Sequence, residues 1–233
     1  MKHIAIVMAA GSGKRMGGDI PKQFLLIRNK PVLYYTLKTL EESFIDEIIL
    51  VTRHEDISYC EDEIVKRFGF KKVKKTVLGG AERYLSVYEG LKSVEETDSY
   101  IYIQDGARPL LTEDILLRVK ESVEKYDATV TAVESKDTVK IADDNGFVAD
   151  TPLRKKVWNA QTPQAFLYKV IKAAYDKLIE EEETGKTFNI TDDSQVCELF
   201  SKTGVYITKG DYNNIKITTE SDLATVEKIL ENL

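Results

Sequence analysis

The sequence predicts an α/β domain of three layers built on a largely parallel sheet. Short, nearly continuous apolar runs rich in β-branched residues recur at wide spacing, as expected of strands buried on both faces. Helical patterns fill the intervals, and alternation of that kind belongs to a sheet covered by helices on both sides. A glycine-rich segment directly follows the first run, and such sheets collect ligands at the carboxyl ends of their strands.

The first strand is expected over residues 4–7 (Ile4, Ala5, Ile6, Val7), and a helix over 32–40 opens after Pro31. Strands follow at 48–51 and 100–103, separated by helices over 56–68, where Ile57, Ile64, Val65 and Phe68 fall near one stripe, and over 86–94. A helix over 115–123 leads to a strand at 129–133. Helical spacing returns over 170–179, then a strand over 205–208 and a last helix over 223–230. Thr219-Glu220-Ser221-Asp222 reads as a capping box for that last helix. The rhythm breaks over 134–158, where extended polar segments flank Asp143-Asp144-Asn145-Gly146, a hairpin signal with Asn-Gly at its tip. From pattern alone this is either an arm projecting from the core or an edge hairpin packed on its own subunit.

Composition narrows the function. The 233 residues are 42% hydrophobic and 31% charged, with a formal net charge of −6, which argues against a nucleic-acid coating surface. No apolar stretch reaches the roughly 18 residues of a membrane helix. The amino terminus reads as a strand entering a glycine loop rather than a signal peptide, so a cytoplasmic location is expected. Two cysteines, Cys60 and Cys197, make neither a disulfide framework nor a four-ligand zinc site. With only His3 and His54, histidine-based triads are poorly supported. Residues 1–30 carry six basic side chains against Asp19, a local charge of +5 that leaves −11 on the rest. Such a pole either holds a small anion or forms a solvated basic face.

Residues 9–17 read Ala9-Ala10-Gly11-Ser12-Gly13-Lys14-Arg15-Met16-Gly17. Small residues and glycines let backbone N–H groups approach a phosphate closely. The spacing G-x-G-x-x-x-G is one residue longer than the dinucleotide fingerprint and lacks the G-K-[ST] ending of a P-loop, which disfavours dehydrogenases and Walker-type NTPases. Arg15 in the loop and Lys22 just after Pro21 supply the cations a polyphosphate needs. Downstream, Gly79-Gly80-Ala81-Glu82-Arg83 precedes Ser86 and a helix. Asp105 and Arg108 stand three apart at the carboxyl end of a strand, as ligand contacts or as a turn with an internal salt bridge. Residues 158–164 (Trp-Asn-Ala-Gln-Thr-Pro-Gln) offer polar side chains, and Lys216 returns after the last strand.

In order, M-A-A-G-S-G-K-R-M-G, P-K-Q-F, D-G-A-R-P, Q-T-P-Q and N-I-K-I-T resemble the 2-C-methyl-D-erythritol 4-phosphate cytidylyltransferases, from residue 3 to about residue 230. The resemblance implies one Rossmann-like nucleotidyltransferase domain over 1–233, with the arm 134–158 inserted for dimerisation. It implies a homodimer whose arms complete each other's sites. The implied reaction joins CTP to the alditol phosphate, releases pyrophosphate and serves non-mevalonate isoprenoid synthesis, with Mg2+ as cofactor. No nucleic acid or membrane is implied as a partner. Such an acceptor phosphate is already a nucleophile at neutral pH, so the problem is to bring two anions together, and positioned cations answer it. By position, Arg15 and Lys22 match the family's transition-state stabilisers. Ala9, Ala10, Gly11, Gly80, Ser86 and Ala107 fall where it holds CTP. Asp105, Arg108, Thr162 and Lys216 correspond to its acceptor set, with Lys216 and Arg154 counted among the catalytic cations. Thr138 and Arg154, on the arm, match residues that reach the partner's acceptor phosphate.

Two positions differ from the family pattern. Ala81 stands where aspartate is frequent, and Asn213 where aspartate commonly precedes N-I-K, so the resemblance implies magnesium held either mainly by the nucleotide's phosphates or with Asp105 as a protein ligand. A related reading is ribitol 5-phosphate cytidylyl transfer for wall polymers, a group that shares K-G-x-x-x-N-I-K (residues 209–216) but tends to differ at Ala107 and Trp158. A non-catalytic nucleotide sensor would not need Arg15, Lys22, Arg154 and Lys216 together. A sugar-1-phosphate nucleotidyltransferase or a glycosyltransferase would share only the first loop.

Overall fold

The computed structural model describes residues 1–11 and 20–232. Its main sheet runs, edge to edge, β11 (Tyr206–Lys209), β7 (Ala128–Glu134), β10 (Trp158–Leu167), β6 (Ser99–Asp105), β1 (Lys2–Met8), β4 (Glu47–Thr52) and β5 (Val73–Leu78). Two small ribbons stand apart, β2 (Leu26–Ile27) with β3 (Lys30–Pro31) and β8 (Ile141–Ala142) with β9 (Val148–Asp150). All main-sheet strands run parallel except β10, which is antiparallel to both β6 and β7. The predicted α/β class with a mostly parallel sheet is the observed one.

Each of the five expected strands lies in this sheet. β5 and β10 were not expected. The run Val-Lys-Lys-Thr-Val-Leu of β5 is only half-buried, as suits an edge strand carrying lysines. β10 contains Pro163 and four polar side chains (Asn159, Gln161, Thr162 and Gln164), a composition that reads as loop. The ladder with β7 shifts between Ala160 and Gln164, so the proline sits in an irregularity where no ladder N–H is required.

The helices are α1 (Val32–Glu42), α2 (Ile57–Tyr59) continued by a π-helical stretch Cys60–Lys66, α3 (Arg83–Lys92), α4 (Glu113–Tyr126), α5 (Tyr168–Glu183), α6 (Asp193–Phe200) and α7 (Glu220–Glu231). Successive side chains of β1 point to opposite faces. Ala5 and Val7 join Leu33 and Leu37 of α1 and Ile115 and Val119 of α4, while Ile4 and Ile6 join Val87 and Leu91 of α3 and Ile171 and Leu178 of α5. Each such Leu or Ile contributes about 1.5–3 kcal/mol on full burial. The capping box of α7 forms as expected, with the Thr219 side chain accepting from Asp222 N–H and the Asp222 side chain accepting from Thr219 N–H. α6, unexpected from periodicity, starts at Asp192, whose carboxylate accepts from Gln195 N–H.

The hairpin tip is closed by Asp143, whose carboxylate accepts from the N–H groups of Asn145 and Phe147, while Gly146 takes φ +85°. Every residue from 140 to 151 is exposed.

Candidate active site

The parallel strands deliver their carboxyl ends to one rim, and the rim is tied together by the backbone. Ala9 N–H donates to Val51 O (2.7 Å), Gly79 N–H to Thr52 O (2.8 Å) and Gly106 N–H to Met8 O (2.9 Å). Lys22 lies in a short helical turn, Lys22–Phe24, whose Gln23 is buried. Gln23 Nε2 donates to Ala9 O at 2.7 Å and to Gly11 O at 3.1 Å, fixing the entry to the first glycine loop. Arg15, with the rest of residues 12–19, lies outside the described residues.

The second glycine pair passes close against α3. A Cβ on Gly80 would stand 2.5 Å from Leu85 Cβ, and one on Gly79 2.8 Å from Ser86 Oγ. Ser86 Oγ donates within that loop, to Gly80 O (3.2 Å) and Glu82 O (3.0 Å), so the hydroxyl shapes the loop. Ala9 and Ala107 are buried and contribute backbone: Ala107 O accepts from Ile217 N–H at 2.9 Å. Ala10 is half-buried and Gly11 exposed at the mouth of the loop.

On the other side of the rim, Asp105 ends β6 with its side chain 9% exposed. Lys216 Nζ lies 2.8 Å from its Oδ2, Arg108 Nε 3.6 Å from the same oxygen, and Arg83 Nε 3.8 Å from Oδ1. Burial opposes the charged carboxylate, but Lys216 and then Arg83 and Arg108 outweigh it and hold Asp105 well below the usual carboxylate range. Burial acts the other way on the Arg108 guanidinium, lowering its basicity despite Asp105.

Antiparallel β10 explains the Q-T-P-Q motif, because its beginning lies beside the carboxyl ends of its parallel neighbours. Thr162 Oγ1 accepts from Asp105 N–H at 3.1 Å. Gln161 Nε2 donates to Asp211 O at 2.8 Å and Asn214 Nδ2 to Thr162 O at 2.9 Å, which anchors the loop that carries Lys216. Arg108 Nη1 donates to Asn214 O at 2.7 Å, locking the same loop from the other side. Gln164 Oε1 accepts from Ser194 N–H and its Nε2 donates to Asp192, pinning the start of α6. Asp105, Arg108, Thr162 and Lys216 therefore converge. Thr138 and Arg154 do not: both lie exposed on the hairpin segment, and among the described residues neither bonds to this cluster.

The supporting groups Gln23, Gln161, Gln164 and Asn214 escaped assignment at the level of sequence. Their signal was present in the quoted motifs, but an amide's role depends on what faces it. Asp193 carried no such signal in the sequence.

A family model described as IspD, 2-C-methyl-D-erythritol 4-phosphate cytidylyltransferase, matches residues 3–232. The chain belongs to this family. A 2-C-methyl-D-erythritol 4-phosphate cytidylyltransferase of Lachnoclostridium phytofermentans is 45% identical over 98% of this chain and 96% of the relative. One of Clostridium botulinum (strain 657) is 46% identical over 100% and 99%. Among solved structures, the 4-diphosphocytidyl-2C-methyl-D-erythritol synthase of Anaerococcus prevotii superposes with a TM-score of 0.85 at 37% identity, covering 99% of this chain and 96% of that one. The IspD structure of Francisella tularensis gives 0.80 at 26% identity, over 98% and 99%.

The magnesium ion that the family resemblance implies finds no cage in the described residues. A hard divalent cation takes about six oxygens, yet no group of three or more His, Cys, Asp or Glu side chains there could hold a metal. Asp105, the expected ligand, is already faced by three cationic side chains. The donor set does not fit a metal centre built from protein.

Proposed function

We propose that the chain transfers the cytidylyl group of CTP to 2-C-methyl-D-erythritol 4-phosphate, forming the CDP-alditol and releasing pyrophosphate for isoprenoid precursor synthesis. The family match over residues 3–232 carries this reading. The chemistry of the rim agrees with it.

The acceptor phosphate attacks the α-phosphorus of CTP, and pyrophosphate leaves from the opposite side. The nucleophile needs no base. Negative charge builds on the α-phosphate, and Arg15 and Lys22 are the groups assigned to meet it, since fixed charges that need no reorganisation lower such barriers most. Residues 9–11, Gly80, Ser86 and Ala107 form the nucleotide side. Asp105, Arg108, Thr162 and Lys216 form the acceptor side, where an anchored Lys216 draws in the acceptor's charge and Asp105 accepts from its hydroxyls. Thr138 and Arg154 reach the acceptor phosphate of a second subunit in a homodimer. Any magnesium used in the reaction would be held by the phosphates of the nucleotide rather than by a cage of protein side chains among the described residues. The enzyme works in the cytoplasm, a setting that suits two buried free thiols. No helix among the described residues is long and apolar enough to cross a membrane.

A paired assay tests the reading: CTP-dependent pyrophosphate release is measured with 2-C-methyl-D-erythritol 4-phosphate and with ribitol 5-phosphate. Preferred turnover of the first is expected. Faster reaction of ribitol 5-phosphate would transfer the chain to wall-polymer synthesis, and no release with either would leave a nucleotide-binding protein.

A further inference from the structure

Arg83 opens α3, three residues after Gly80 and three before Ser86, and the reaction as described gives it no part. Its Nη1 and Nη2 donate to both oxygens of Asp193, at 3.0 and 2.7 Å. Its remaining edge, Nε, faces Asp105 Oδ1 at 3.8 Å. Asp193 is itself immobilised: it is fully buried, and its Oδ1 also accepts from Tyr175 Oη at 2.7 Å. The helix that carries it is pinned at its first turn by Gln164. A planar guanidinium held on two parallel N–H bonds is fixed in orientation as well as place, so the direction of Nε is decided by Asp193.

Asp105 is thus gripped from two sides. Lys216 and Arg108 make their nearest approaches to Oδ2, and Arg83 makes its nearest approach to Oδ1. Lys216 rides on a loop; Arg83 is anchored to two helices. We propose that Arg83, oriented by Asp193, is a positioning residue that sets the Asp105 carboxylate for the acceptor. The inference rests on the reading above that Asp105 serves the acceptor side.

Steady-state kinetics with each substrate varied in turn on R83Q, R83K and D193N test it. R83Q and D193N should raise the KM for 2-C-methyl-D-erythritol 4-phosphate about tenfold, the size of one lost orienting contact, with the KM for CTP little changed. R83K keeps the charge without the fork and should not rescue the acceptor KM. A merely structural Arg83 would move both KM values or neither, and either result overturns the proposal, as does full rescue by lysine. A double-mutant cycle of R83Q with D105N, read by urea midpoints, examines the contact without turnover. Non-additive effects support the grip on Asp105, and strict additivity refutes it. Should the wild-type chain release no pyrophosphate, the functional reading falls, and the cycle still decides whether Arg83 holds Asp105.

Discussion

The rim around Asp105 and the hairpin over 140–151 are built on opposite terms. At the rim, Asp105, Arg83, Arg108 and Lys216 each face opposite charge inside the chain, and the loop bearing Lys216 is tied by Gln161, Asn214 and Arg108. On the hairpin every residue is exposed, and Ile141, Phe147 and Val148 present apolar side chains to water. Charges already aligned need no reorganisation when substrate arrives. A two-stranded hairpin is only marginally stable by itself and gains its geometry from whatever it packs against. Changes at the rim should therefore act within one chain, and changes on the hairpin should depend on how much chain is present.

The largest effect expected is on turnover. Replacement of Lys22 or Arg15 by alanine should slow pyrophosphate release by about 10²–10³, or roughly 3–4 kcal/mol of barrier. Near-normal rates in either variant would remove that residue from charge stabilisation.

Asp105→Asn would leave three cations without their shared counter-charge and should cost about 3 kcal/mol of stability, read from urea midpoints. The sign of the pH effect follows from the lowered pKa. The carboxylate's contribution is present above its unfolded value near pH 4 and is lost only as pH falls through the lower folded value. Stability should then show no limb from Asp105 between pH 5 and 8, and a wild-type acid limb in that window that disappears in Asp105→Asn would break the picture of a pre-ordered rim.

Thr162→Val strips the acceptor from Asp105 N–H, a buried donor, and should cost about 1–3 kcal/mol together with a higher acceptor KM. An unchanged urea midpoint would show that water replaces the hydroxyl.

Arg154→Ala should sharpen the contrast most while moving stability least. Its unfolding midpoint should match wild type within about 0.5 kcal/mol, yet the acceptor KM should rise. Mixing Arg154→Ala with Lys22→Ala subunits should recover part of the activity if the arm serves a neighbour. A mixture as inactive as its parents, with heterodimers demonstrated by sequential purification on two different affinity tags, would return Arg154 to its own chain.

Periodicity revealed β1, β4, β6 and β7 because a strand buried on both faces must be apolar throughout, whereas β11, an edge strand with only Thr208 buried, was caught by its short β-branched run alone. It did not reveal β10, whose Gln161, Thr162 and Gln164 are buried by virtue of hydrogen bonds rather than greasiness. Asp105 and Arg108 were visible as candidates from their place at a strand end, and Lys216 from its motif. The partnership of Arg83 with Asp193, 110 positions apart, was not, because neither residue forecasts the other locally.

The class of fold, the glycine loops, the capping box of α7 and the surplus of cations over catalytic histidines follow from the order of residues alone. They depend on backbone freedom, side-chain periodicity and charge, which are local properties. Which carboxylate the cations surround, and that an antiparallel strand brings Thr162 to Asp105, came only from the assembled sheet. Long-range electrostatics and buried hydrogen bonds depend on distances in space, and those exist only once the layers have packed.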